Sequence, residues 1–158
     1  MLRDTRLARI ERLYERDFVA FVRVARGIVG DRERALEAVN DGFVDAIKAR
    51  AALRNEAALE AWVWRSVVNA ARKATRRPLV EAAREPEPVV DPPALHALAP
   101  LIAQLPERQR LVVFLRYYAD LDYRRIAEVL NVEVGTVSAA LAAAHRSVRR
   151  LMEEVEVR

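Results

Sequence analysis

The chain has 158 residues, of which 53% are hydrophobic and 32% are charged, so it can build one ordinary globular core or two small ones and is not compositionally disordered. It contains 27 Lys and Arg residues against 23 Asp and Glu residues, a modest excess that makes an anionic partner plausible. Because there is no cysteine, a disulfide framework, a zinc thiolate site and a cysteine nucleophile are excluded. The N-terminus is charged, and no apolar run approaches the roughly 20 residues of a membrane helix, so we expect a cytoplasmic protein without membrane insertion.

Apolar residues recur at helical spacing along most of the chain, which predicts an all-α fold. A first helix carries apolar residues at steps of three and four over positions 7–28 and ends near Gly30. Asp31 is a predicted cap for a second helix, and Asn55 for a third that continues to about Arg77. The second helix is expected to bury Leu36, Val39, Phe43 and Ile47.

The composition changes after the third helix. Six of the seven prolines fall between Pro78 and Pro100, so this segment cannot be one helix. Structureless loops inside a domain seldom exceed about 12 to 15 residues, which favours a tether over a folded loop. We therefore predict two small helical domains, residues 1–77 and 94–158, joined by a Pro-rich linker at 78–93.

The second domain carries the pattern of a helix-turn-helix. Ala127 provides the small residue that the helix crossing needs, and Asn131 tolerates a left-handed turn. Asp122 is a predicted cap for the helix "YRRIAEVL", and the last helix should run from about Val134 to Glu154. Residues expected to lock the two helices together are Ile126, Leu130, Val132 and Val137, with the buried stripe continuing through Leu141, Ala144, Val148 and Leu151. An ordinary helical hairpin is the alternative.

The last helix is the one that would enter the major groove, and we call it the reading helix. It has few side chains that can read a base. Bases are read in the major groove chiefly by Arg, Lys, Asn and Gln near the start of that helix, whereas the exposed positions here hold Glu133, Gly135, Ser138, Ala139 and Ala142. The predicted DNA-contacting residues of this domain are Arg124, Arg125, Thr136, Ser138, His145, Arg146 and Arg149. His145, Arg146 and Arg149 lie far along the last helix, where they suit backbone contacts, so this unit alone should bind DNA weakly and discriminate poorly.

The third helix combines an aromatic ring with cations on one face. Steps of three and four align Trp62, Arg65, Asn69, Arg72 and Arg76, with Lys73 at the border. A splayed base can stack on the ring while the cations follow the phosphates, which favours a single-stranded nucleic-acid site. The alternative is a solvated basic face above a half-buried tryptophan. Trp62 and Trp64 point in different directions, so at least one of them is expected to be core.

The second helix presents a stripe of opposite sign. Its members are Glu37, Asn40, Asp41, Val44 and Lys48, with Asp45 beside them. Such a stripe is usually solvated, and it can also dock a basic helical partner. The spacing does not decide between the two.

Three segments in this order resemble the extracytoplasmic-function group of bacterial sigma factors, within the sigma-seventy family. The segment "LYERDFVAFVRVARGIVGDRERALEAVNDGFVDAI" is similar to the start of the family's second conserved region, and "LEAWVWRSVVNAARKATRR" to its later part. "LPERQRLVVFLRYYADLDYRRIAEVLNVEVGTVSAAL" is similar to the fourth region. The resemblance implies a protein that binds core RNA polymerase and directs it to promoters.

The resemblance also assigns partners to the surfaces. It implies that Glu37, Asn40, Asp41, Val44 and Asp45 dock a coiled coil of the polymerase's largest subunit. It implies that the opened strand of the minus-ten element is captured by Arg54, Asn55, Trp62, Arg65, Asn69, Arg72, Lys73 and Arg76. The last helix corresponds to the reader of the minus-thirty-five element, and family members are commonly held inactive by an anti-sigma factor.

The chain departs from the family pattern in three places. After "VGTV" the family often has a basic or polar run, whereas this chain has "SAALAAAH", so Ser138, Ala140 and Ala143 replace residues that usually contact DNA. Asn40 stands where glutamine is usual. Gly42 lies within a helix, at a cost of about 1 kcal/mol relative to alanine.

These departures leave other functions to weigh against a working sigma factor. The main alternative is a sigma-like decoy that binds an anti-sigma factor or polymerase without selecting promoters, although a decoy would have no use for the Trp62 to Arg76 face. A dimeric repressor would not need the first domain. An enzyme is disfavoured because neither His96 nor His145 has an acid pair, metal spacing or phosphate loop around it, and no cofactor or metal is predicted.

Overall fold

The computed structural model describes residues 4–76 and 93–157. Within those ranges the chain forms seven α-helices and two short 3-10 turns, and no strand, so the predicted all-α class is confirmed. Arg77 and all but the last residue of the predicted linker lie outside the described residues.

The chain divides into two compact units. The first contains α1 (Thr5–Val29), α2 (Arg32–Lys48) and α3 (Leu59–Thr75). The second contains α4 (Pro93–Ile102), α5 (Glu107–Tyr117), most of α6 (Tyr123–Leu130) and α7 (Val134–Glu156).

The ends of α1 and α2 follow local backbone chemistry. The Asp4 carboxylate accepts hydrogen bonds from two backbone N–H groups at the start of α1. Gly30 ends this helix with a positive φ of 84°, which glycine adopts without steric cost, and its N–H donates to the carbonyl of Arg26 at 2.7 Å. Asp31 then caps α2 through two further backbone N–H groups, so both predicted boundaries are confirmed.

The core of the first unit is centred on stacked aromatic rings. Trp64 and Phe21 lie 3.8 Å apart between ring centroids at 22°, and both are fully buried. Phe43 meets Phe21 edge-on at 4.9 Å. Of the four α2 residues expected to be buried, Val39 and Phe43 are, while Leu36 and Ile47 are only partly covered. The prediction that at least one tryptophan is core is confirmed by Trp64.

Small residues let α2 and α3 approach closely. The buried positions of α2 include Ala35, Ala38, Gly42 and Ala46. A Cβ atom on Gly42 would lie 2.5 Å from the Cα of Val67, which is closer than packing allows. The interpretation of Gly42 as a simple helix cost is therefore revised, because this glycine makes the helix contact possible.

The second unit contains the predicted helix-turn-helix. The axes of α6 and α7 differ in direction by 104°, within the range typical of that motif. Asp122 caps α6 by accepting from the N–H of Arg125 at 2.8 Å, and Asn131 adopts the left-handed conformation with φ of 56°. Ala127, the small residue predicted at the helix crossing, is buried. Fully or largely buried residues of the pair are Ile126, Val129, Val137, Leu141 and Ala144, whereas Leu130, Val132, Val148 and Leu151 are partly covered.

None of the helices in the described parts of the chain has both the length and the hydropathy of a membrane span. The α6 and α7 pair reaches those values only when the two bent helices are counted together.

Candidate nucleic-acid and polymerase interfaces

The outer face of α3 brings together the six polar and aromatic residues singled out in its sequence. Asn69, Lys73 and Arg76 are exposed, while Trp62, Arg65 and Arg72 are partly covered. The opposite face is buried and consists of Val63, Trp64, Val67, Val68 and Ala71. Since the helix ends at Thr75, three cations lie in or just beyond its last turn, where the helix dipole favours positive charge. The face is therefore a compact cationic surface with an aromatic ring within it.

The loop between α2 and α3, residues 49–58, carries the other two residues that are predicted to bind the opened DNA strand. Arg54 and Asn55 are exposed and lie between two 3-10 turns, Arg50–Ala52 and Glu56–Ala58. The side-chain oxygen of Asn55 accepts the N–H of Ala57 at 3.0 Å. Asn55 thus caps the 3-10 turn before α3, and the prediction that it caps α3 itself is wrong, because α3 begins at Leu59 after Ala58. The NH₂ group of Asn55 is the part that can donate to a base.

Ion pairs with the start of α1 tie this loop to the helix. One carboxylate oxygen of Glu56 accepts a hydrogen bond from Arg6 Nε at 2.5 Å. The other accepts one from a guanidinium nitrogen of Arg9 at 3.1 Å. Arg50 Nε lies 2.7 Å from a carboxylate oxygen of Asp4, and this hydrogen bond lowers the pKa of Asp4. Sequence analysis missed these pairs because their partners lie 46 to 50 residues apart and no periodicity connects them.

The acidic stripe of α2 is exposed along its length. Its exposed members include Glu37, Asn40, Asp41, Val44 and Asp45. Val44 is 46% exposed, which places a large apolar side chain among carboxylates. On the α1 side, the Tyr14 hydroxyl donates to the Asn40 oxygen at 3.3 Å, a contact that the sequence pattern did not indicate.

The helix-turn-helix exposes the residues predicted at the start of its reading helix. Glu133, Gly135, Ser138, Ala139 and Ala142 are all exposed, as expected. Of the residues predicted to contact DNA, Arg124, Ser138, His145, Arg146 and Arg149 are exposed, and Arg125 and Thr136 are partly covered. Ala140 and Ala143 are partly covered as well. The outer face of the first turns of α7 is therefore small and neutral.

His145 has a partner that the sequence pattern did not reveal. Its Nε2 lies 2.8 Å from the hydroxyl of Tyr117 on α5, and the two rings are 6.0 Å apart. The bond fixes the orientation of an imidazole near the middle of α7, close to Arg146.

The residues described by the structure include no group of three His, Cys, Asp or Glu side chains placed to hold a metal.

Two family models match the chain. One, described as Sigma-70 region 2, matches residues 13–78, and the other, described as Sigma-70, region 4, matches residues 95–150. No curated protein sequence gives a significant match.

A solved structure has a similar fold. CnrH, in the structure of CnrH in complex with the cytosolic domain of CnrY, is 23% identical to this chain with a TM-score of 0.72. The similarity covers 94% of this chain and 90% of CnrH, and at this identity it establishes the fold alone. Because the two region models together span most of the chain in the family's order, the protein belongs to the sigma-70 family.

Proposed function

We propose that the protein works as an RNA polymerase sigma factor, directing promoter-specific transcription initiation without itself catalysing a reaction. The observation that carries this proposal is the joint presence of sigma-70 region 2 and region 4, in that order, in one chain. The proposal is supported by the cationic, aromatic face of α3, which suits an opened DNA strand, and by the helix-turn-helix, which suits a duplex.

The division of labour that we propose follows the predicted domains. Residues 1–77 bind core polymerase and the minus-ten element, residues 94–158 bind the minus-thirty-five element, and residues 78–93 link the two. The exposed Glu37, Asn40, Asp41, Val44 and Asp45 form the polymerase surface. A stripe of carboxylates around an exposed valine suits a basic helical partner with an apolar contact at its centre.

The opened minus-ten strand binds the α3 face and the preceding loop. A base released from the duplex stacks on Trp62 or is held by Asn55 and Asn69, while Arg54, Arg65, Arg72, Lys73 and Arg76 neutralise phosphates. This assignment is supported by the side-by-side placement of a partly covered ring and several cations on one helix.

The helix-turn-helix contributes mainly phosphate contacts. Its exposed cations Arg124, Arg146 and Arg149 hold the backbone, whereas Thr136 and Ser138 are the polar groups nearest the start of α7. Sequence preference from this unit then depends partly on DNA shape. His145, fixed by Tyr117, belongs to the same backbone-binding set.

An anti-sigma factor is the proposed regulatory partner. CnrH, whose fold this chain shares, was solved in complex with the cytosolic domain of CnrY. We propose that this chain is likewise held inactive by a protein partner.

A sigma-like decoy is the second candidate function. It is favoured by the exposed Ala139 and Ala142 on α7, where a reading helix usually carries polar side chains. A decoy would bind polymerase or an anti-sigma factor without selecting promoters.

Transcription in vitro separates the two functions. Core polymerase is incubated with fragmented DNA from the source genome, with and without the protein, and transcript starts are mapped. New starts that share an upstream motif establish promoter selection. Binding to core polymerase without any new start would contradict it and leave the decoy.

A further inference from the structure

The loop of residues 49–58 is anchored at both ends by the first turns of α1. At its start, Arg50 pairs with Asp4 at 2.7 Å, and Arg6 donates to the backbone carbonyl of Arg50 at 2.8 Å. At its other end, Glu56 pairs with Arg6 and Arg9, and Arg9 also donates to the backbone carbonyl of Glu56 at 3.2 Å. Arg6 therefore connects the two ends.

Between the anchors lies the short extended stretch that carries Arg54 and Asn55. Leu53 has φ of −68° and ψ of 118°, and Asn55 has φ of −124° and ψ of 109°, so neither is helical. Arg54 and Asn55 are exposed, and packing therefore does little to fix their conformation. An exposed connection of this kind is mobile unless its ends are held.

These ion pairs are better suited to fixing the position of the loop than to stabilising the fold. The side chains involved are 29% to 53% exposed, and exposed ion pairs contribute little to the free energy of unfolding because water and salt screen them. Charge-assisted bonds to both side chains and backbone nevertheless restrict where the loop can lie. Fixing a binding loop before the ligand arrives lowers the ordering cost of binding. It also increases discrimination, because donors held in one geometry cannot shift to accommodate a base that does not match them.

We propose that Arg6, Arg9 and Glu56, together with the Asp4 and Arg50 pair, are positioning residues for base capture. They fix the stretch at Arg54 and Asn55 in the geometry that receives an unstacked base of the minus-ten element. This inference rests on the proposed function, and it goes further by assigning base discrimination partly to α1, which itself carries none of the predicted DNA-binding residues.

The test compares two matched charge removals in the full-length protein bound to core polymerase. Glu56→Gln removes the carboxylate that both α1 arginines contact in the loop. Glu60→Gln is the control, since Glu60 also pairs with an α1 arginine, Arg16 at 3.3 Å, but lies on α3 beyond the loop. Both variants add the same net charge, so any general gain in DNA affinity is shared.

The readout is a ratio of affinities. Single-stranded oligonucleotides that carry the minus-ten sequence of a mapped promoter are compared with oligonucleotides changed at one base, each bound to the holoenzyme. For Glu56→Gln we expect the ratio between matched and changed oligonucleotides to fall about two- to fivefold, the size expected for loss of an exposed ion-pair network. Glu60→Gln should keep the wild-type ratio, and Arg6→Gln should behave like Glu56→Gln. The double variant that carries both Arg6→Gln and Glu56→Gln should lower the ratio little more than either single change, because the two changes remove the same interaction.

Two results would overturn the inference. In the first, the Glu56→Gln ratio equals that of the wild type, including the case in which binding of all oligonucleotides is weakened by the same factor. In the second, Glu60→Gln lowers the ratio equally, which would indicate a general effect of charge. A wild-type holoenzyme without any base preference would instead overturn the proposed function along with it.

Discussion

Gly42 on α2 lies directly against the backbone of Val67 on α3. A Cβ atom on Gly42 would be 2.5 Å from the Val67 Cα and 2.8 Å from its backbone nitrogen, so the two helices would have to separate. We expect Gly42→Ala to lower the free energy of unfolding by about 2 kcal/mol, because overpacking outweighs the gain in helix propensity. Thermal unfolding followed by circular dichroism measures this loss.

Gly135→Ala is the matched control. Gly135 also lies in a helix, but nothing stands within 4 Å of the position that its Cβ would take. The same substitution should therefore leave stability unchanged or raise it by up to about 1 kcal/mol. A stabilising Gly42→Ala would show that the α2 and α3 contact is looser than the structure indicates.

Gly42 separates what could be predicted from the sequence from what could not. Periodicity and capping residues were enough to predict α1, α2, α3, α6 and α7 and the ends at Gly30, Asp31 and Asn131, because those depend on local backbone chemistry. They did not predict α4, which contains Pro100. The distance between two helices depends on which small residues face each other. That pairing is a tertiary property, so a glycine inside α2 could only be read as a cost.

The two tryptophans of α3 should respond differently to truncation. Trp62→Ala, and likewise Arg65→Ala, should leave association with core polymerase intact and reduce open-complex formation several-fold, since base stacking is worth about 1–3 kcal/mol per base. A native-gel shift of the labelled protein with core polymerase measures association, and permanganate footprinting of the holoenzyme on a mapped promoter measures opening. Equal loss of core association and opening would contradict the strand-binding role.

Trp64→Ala provides the contrast. This ring is fully buried and stacks on Phe21, so its removal should lower the free energy of unfolding by about 3–5 kcal/mol. Core association and promoter opening should then fall together.

The acidic stripe should respond to charge reversal. Asp41→Lys places a cation among the exposed carboxylates of α2, and we expect it to weaken binding to core polymerase at least about tenfold with little change in unfolding temperature. Glu153→Lys, an equally exposed reversal on α7, is the control and should bind nearly as the wild type does. Equal binding by both variants would remove the stripe from the polymerase interface.

The Asp4 carboxyl offers a pH-dependent check on the loop anchors. Its pKa is lowered from the ordinary value of 3.8, chiefly by the hydrogen bond from Arg50. A lowered carboxyl pKa means that the stabilising pair is present above about pH 3.8 and is lost as the pH falls through the lowered value. In an NMR titration, Arg50→Gln should move the Asp4 pKa back towards 3.8, and an unchanged value would contradict the pairing.

As in the fold, the features of the candidate sites that depend on a single helix could be predicted, and the contacts that join two elements could not. The α3 face and the α2 stripe could be predicted because a helix fixes which residues share a side. The anchors of Arg54 and Asn55, the Tyr14 contact of Asn40 and the Tyr117 contact of His145 could not, because each joins two elements whose packing is set by the core. The ring beside the cations of the α3 face already favoured a single-stranded nucleic acid, whereas the partner of the α2 stripe was suggested by the family resemblance and not by residue spacing.

The cations of α7 should act on phosphates and not on bases. Arg146 and Arg149 are exposed well beyond the first turn of the reading helix, whose outer positions hold Gly135, Ala139 and Ala142. Arg146→Ala and Arg149→Ala should therefore weaken DNA binding by a similar factor on different sequences and reduce the slope of log affinity against log salt by about 1 each. Binding isotherms over a series of salt concentrations, on a mapped promoter and on a scrambled duplex, measure both quantities. A loss confined to the promoter sequence would mean that these arginines read bases, and the small neutral face before them would then no longer account for weak discrimination.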